Sequence, residues 1–77
     1  MDIILVTWVD SKMSDKSWEK REGASHLCSE PITSVGHLLE ETGDDLILAM
    51  CHSPDNVNGV LAIPKVSIKN RKTVARI

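Results

Sequence analysis

The sequence has no phenylalanine and no tyrosine, and Trp8 and Trp18 are the only aromatic residues among its 77. A core must therefore be built from Ile, Val, Leu, Met and Ala, within an apolar content of 42%. Cysteine is scarce too: Cys28 and Cys51 are too few for a disulfide scaffold. The opening stretch, MDIILVTWVDS, lacks the basic region of a secretory signal and meets acid at Asp2 and Asp10. No apolar run approaches the ~20 residues that a membrane-spanning helix needs. These scarcities predict a cytoplasmic chain with reduced thiols and no membrane contact. A chain this short makes a single domain, residues 1–77, and buries little surface, so association into a homo-oligomer is expected.

Acid is missing from the last part of the chain. Residues 1–55 carry all eleven acidic side chains against four basic ones, a net charge of −7. Residues 56–77 carry Lys65, Lys69, Arg71, Lys72 and Arg76 with no acid, a net charge of +5. An acidic body with a basic end can hold an anion locally or meet its own neighbour head to tail. A basic strand also discourages unwanted pairing at a sheet edge.

What is present reads as strands. DIILVTWVD is rich in β-branched residues and apolar on both parities, with Ile4, Val6 and Trp8 on one face and Ile3, Leu5 and Val9 on the other. Such a strand is covered on both sides, by the body of the domain and by something else. Residues 11–31 are polar and punctuated by Ser, Gly and Pro. They form a short helix through WEKREGASHL, capped by Ser17, or a long loop, with Trp18 pinning the segment to the core.

ITSVGHLLEE, the turn TGDD and LILAMCH make a hairpin, in which Gly43 supplies the positive φ of a tight turn. Gly36 lies inside its outgoing strand, where glycine marks a bend or a close backbone approach. SPDNVNG is a loop, VLAIP a fourth strand ended by Pro64, KVSI a single helical turn, and KNRKTVARI a last strand or a basic tail. The expected fold is mainly β, a small five-stranded bent sheet or barrel.

Over residues 32–74 this layout resembles the Sm-like small barrels of the SH3-like type. Their Gly-x-Leu, acidic turn and aliphatic third strand are similar to Gly36, Leu38, Asp44-Asp45 and Leu46-Ile47-Leu48. Their second motif is similar to GVLAIPKVSI, with Ile63 and Ile68 in the aliphatic places. Of the Tyr-Lys-His-x-Ile stretch of bacterial Sm-like RNA chaperones, only Lys65 and Ile68 match. The family's base stacker and Asn are absent from ETGDD, and Pro64-Lys65 replaces its Arg-Gly. The resemblance thus implies a barrel more than it implies RNA binding. The whole chain also resembles small uncharacterised phage and prophage proteins, which share Trp-Val-Asp-Ser, SVG and a later Gly-Val-x-x-Ile-Pro.

Reactive groups are present without a reactive pattern. His26, Cys28, Cys51 and His52 suggest a zinc set, but Cys51 and His52 are neighbours on one strand and point to opposite faces. Cys51 is expected as a buried structural thiol, and the histidines as surface or half-exposed groups. Glu40, Glu41, Asp44 and Asp45 surround a hairpin tip, where solvated carboxylates keep ordinary behaviour. No phosphate loop, triad or nucleotide fingerprint is present. The expectation is a non-enzymatic interaction protein without cofactor or metal, self-associating and binding a host or phage protein. The alternative is binding of RNA or single-stranded DNA through Lys65, Lys69, Arg71 and Lys72.

Overall fold

The computed structural model describes residues 1–77. Its strands are β1 (Asp2–Asp10), β2 (Glu30–Glu41), β3 (Asp45–His52), β4 (Val57–Pro64) and β5 (Ile68–Arg76). A four-residue helix, α1 (Arg21–Ala24), precedes β2, and a 3-10 turn (Lys65–Ser67) joins β4 to β5. The protein is mainly β, with all five strands antiparallel in one sheet ordered β4-β3-β2-β1-β5.

β2 organises this sheet by changing partners partway along. Glu30 to His37 pair with β1, and His37 to Glu41 pair with β3, with a bulge at Leu39. Pro31 lies where β2 has β1 as its only neighbour, so its missing N–H breaks no second ladder. Beyond the overlap the two ladders run on as arms. One reaches Asp10 opposite Glu30, and the other reaches His52 opposite Val57. The molecule is accordingly long, 52 × 23 × 21 Å.

The core is small and lies on the concave side. Ile4 and Val6 of β1 pack with Leu46 and Leu48 of β3 and Ile63 of β4, with Trp8, Leu38 and Ile68 against them. β1 and β4 are not neighbours in the sheet, so only a strongly curved sheet brings Ile63 to Ile4. Curvature does not end in closure, since β4 and β5 are the two ends of the strand order and share no ladder. The Trp8 indole N–H donates to Ser34 Oγ at 3.1 Å, which satisfies its one polar atom. On the other face of β1, Ile3, Leu5 and Val9 are half-exposed, so nothing within the chain covers them fully.

Three local expectations change. The helix is four residues long and begins after Lys20, not Ser17, with no side-chain cap. Gly23 and a polar sequence give it too little propensity to extend. Trp18 is 93% exposed and pins nothing to the core. Gly43 does not take a positive φ. Instead Thr42 holds the turn, its hydroxyl accepting from the backbone N–H groups of Asp44 (3.3 Å) and Asp45 (2.9 Å). The positive-φ residue is Gly59, at +65° within β4.

Gly36 answers to close approach. A Cβ there would stand 3.1 Å from both the Ala49 carbonyl oxygen and Leu48 Cβ. Those atoms belong to paired β3, which cannot yield cheaply, so Gly36→Val should cost about 1–3 kcal/mol. Gly59→Ala should cost a similar amount, about 1–3 kcal/mol, because it combines the positive φ with a Cβ 2.8 Å from Met50 Cβ. Gly43→Ala has open space and should instead gain about 0.4–1 kcal/mol by restricting the unfolded chain. Thermal melts check the three signs, at roughly 4–8 °C per kcal/mol for a domain of this size. A raised melting temperature for Gly36→Val would contradict the close approach.

Candidate interaction surface

An open sheet leaves two unpaired edges, and here they differ chemically. β4 carries no charged side chain, and Val57, Val60 and Leu61 on it are exposed. β5 carries Lys69, Arg71, Lys72 and Arg76, the kind of edge that resists pairing with itself. Across β3, from β2 to β4, runs a shallow groove of about 280 Å³ whose lining includes Ser34 and Val35 of β2, Leu48 and Met50 of β3, and Gly59 and Leu61 of β4. Gly59 keeps its floor low because no side chain rises there. Met50 is 69% exposed at its wall, an apolar group in water.

The basic residues divide into two kinds. Lys65 Nζ lies 2.8 Å from Glu41 Oε2, and Arg71 Nη1 lies 2.9 Å from Glu41 Oε1. Arg76 pairs with Asp2 at 3.2 Å. Lys69 and Lys72 are exposed and in no ion pair. The four candidate anion-binding side chains are therefore not one patch: Lys65 and Arg71 are engaged and Lys69 and Lys72 are open. Arg71 stands opposite Val6 and Lys72 opposite Leu5, so alternation sends these neighbours to opposite faces.

Glu41 gains a role that its place at a hairpin end does not announce. It ties the end of β2 to the 3-10 turn and to the start of β5, across the gap that the sheet leaves unclosed. The Lys65 N–H of the backbone also donates to the Asp44 carbonyl at 2.8 Å, fixing the same corner. Hydrogen bonds from Lys65 first, and from Arg71 second, hold the Glu41 carboxyl below the usual glutamate range. Arg71 is 30 residues away in sequence, and no local pattern marks the pair.

The sulfur and imidazole groups also regroup. Cys51 is exposed, as is Cys28, because β3 parts from β2 after Ala49 and Cys51 lies on the arm that pairs only with β4. No three His, Cys, Asp or Glu side chains gather to hold a metal ion, so His26, Cys28, Cys51 and His52 form no common site. His52 has instead met His37, with ring centroids 4.6 Å apart and planes at 77°. His37 Nδ1 is 3.1 Å from the Ala49 carbonyl oxygen. No polar or charged side chain is buried, and no helix is long and apolar enough to cross a membrane.

Because the folded-state pKa of Glu41 is depressed, its stabilising contribution is present above the ordinary glutamate range and is lost as pH falls through the folded value. Melting curves of the wild type and Glu41→Gln should therefore differ most near neutral pH and converge on acidification. The gap should also shrink in ~1 M salt, as for any exposed pair. Curves that stay parallel down to low pH would show that the carboxylate charge is not what joins the corner.

Compared with family models, with curated proteins and with solved structures, the chain finds no match.

Proposed function

We propose that this protein is a non-enzymatic interaction module, of the accessory kind that phages and prophages encode, which self-associates through its strand edges and binds a protein partner. The observation that carries the reading is the outer edge of β4, uncharged from Val57 to Ile63 and exposing Val57, Val60 and Leu61. An open, apolar strand edge is a template for another strand, and it carries none of the lysines that block such pairing. The groove across β3, inward of this edge, offers a second apolar surface to the same partner.

Charge selects the arrangement of copies. Two β5 edges would bring four bases against four, at a Coulomb cost. A β4 edge against the β5 edge of a second copy avoids this and places basic residues near Asp55, which precedes β4, and Asp45, the β3 partner of Pro64. That contact is heterologous, so repetition gives a ring or a filament instead of a closed two-fold pair.

A second reading rests on Lys69 and Lys72, exposed and unpaired on β5. Two open lysines and no exposed aromatic besides Trp18 make a weak, salt-sensitive nucleic-acid surface.

Light scattering over a range of concentrations should give a mass above the monomer that rises with concentration, and Val60→Lys should return it to the monomer. A monomer at every concentration would overturn the self-association. Fluorescence anisotropy with random-sequence RNA and single-stranded DNA separates the second reading. Binding at low salt that Lys69→Glu with Lys72→Glu removes would favour nucleic acid, and no binding at low salt would exclude it.

A further inference from the structure

The hydrogen bond between His37 and Ala49 determines which nitrogen of His37 is available. A carbonyl oxygen only accepts, so Nδ1, at 3.1 Å, carries the proton and donates. In the neutral ring the lone pair is then on Nε2, and the ring is held in orientation by a backbone group of β3. This is the arrangement that readies an imidazole for a metal: the outer N–H is spent on a carbonyl and the other nitrogen is left as ligand.

The second imidazole lies at a separation that a shared ion allows, its ring crossing that of His37 at 77°. An ion about 2.0–2.1 Å from one nitrogen of each ring lies roughly 3.2 Å from both ring centres, which places the centres about 4.5–5.2 Å apart for coordination angles between ~90° and ~109°. The His37 and His52 centroids are 4.6 Å apart. His37 is half-buried and hydrogen-bonded, whereas His52 is exposed near the end of the β3–β4 arm, so it is the ring that must turn to bring a nitrogen onto the same point.

We infer that His37 and His52 form a two-histidine site for a divalent late first-row transition ion such as Ni²⁺, Zn²⁺ or Cu²⁺. Neutral imidazole suits these ions, and hard oxygen-seeking Mg²⁺ and Ca²⁺ are not served by it. No third His, Cys, Asp or Glu completes a cage. The remaining positions therefore belong to water, which makes the site open and exchangeable. A bound ion also fastens the projecting β3–β4 arm to β2, since His52 lies beyond the last β3 residue that β2 pairs with.

Nickel tests this without oxidising the exposed thiols. Ni²⁺ titrated into the full chain should bind at one ion per chain, broaden the ring resonances of His37 and His52 together, and raise the melting temperature. His52→Gln removes an exposed side chain and leaves the fold intact. It should weaken binding roughly tenfold or more, since the second ligand acts at high effective concentration. His37→Gln should weaken it comparably, while His26→Gln and Cys51→Ser should leave it unchanged. Mg²⁺ should give no response. Nickel affinity unchanged in His52→Gln, or lost equally in His26→Gln, would overturn the site.

Discussion

The close approach of β2 to β3 at Gly36 is the constraint on which the rest of the structure depends. With no side chain at Gly36, the Ala49 carbonyl and Leu48 come within 3.1 Å of where a Cβ would stand. That proximity lets β2 leave β1 and take up β3 at His37, and it puts Leu46, Leu48 and Ile63 over Ile4 and Val6. A flat sheet of the same strands would bury almost none of them. With only seven of 77 residues buried, the domain has little apolar burial to lose, so the curvature is a condition of folding at all.

Curvature and openness together shape the surface. The sheet bends far enough for Glu41 to reach Lys65 and Arg71, yet β4 and β5 do not pair. An exposed ion-pair cluster fills the corner where a strand ladder would have closed the sheet, and such clusters contribute less than hydrogen-bonded strands. The unsatisfied backbone groups of both edges remain available to another chain. The same openness leaves the convex face of β1 half-exposed at Ile3, Leu5 and Val9.

Much of the fold is legible along the chain because its signals are local. The alternating and β-branched runs, Pro64, and the turn residues after His52 mark five strands and a single 3-10 turn close to where they lie, though β4 begins at Val57, inside the loop expected to run to Gly59. Gly36 is legible as a bend or a close backbone approach, and the approach of Ala49 and Leu48 is what the structure shows. What is illegible depends on register between distant strands. Cys51 looks like a core thiol until β3 is seen to part from β2 after Ala49. Glu41 looks like a solvated tip until curvature brings Arg71 to it. Gly43 looks like the special glycine because Thr-Gly-Asp-Asp is a turn signature, whereas the hydroxyl of Thr42 holds that turn and Gly59 carries the unusual backbone. The meeting of His37 and His52 has no local signal. It needs both the bend and the bonding of Ala49.

Because β2 is spliced between two ladders, the molecule is built like a pair of callipers. The pivot is the overlap at His37, the one residue of β2 that pairs with both β1 and β3. The legs are the β1–β2 end near Asp10 and the β3–β4 end near His52, in a body 52 Å long. Little packs across the space between the legs, so a small twist at the pivot becomes a wide displacement at the tips.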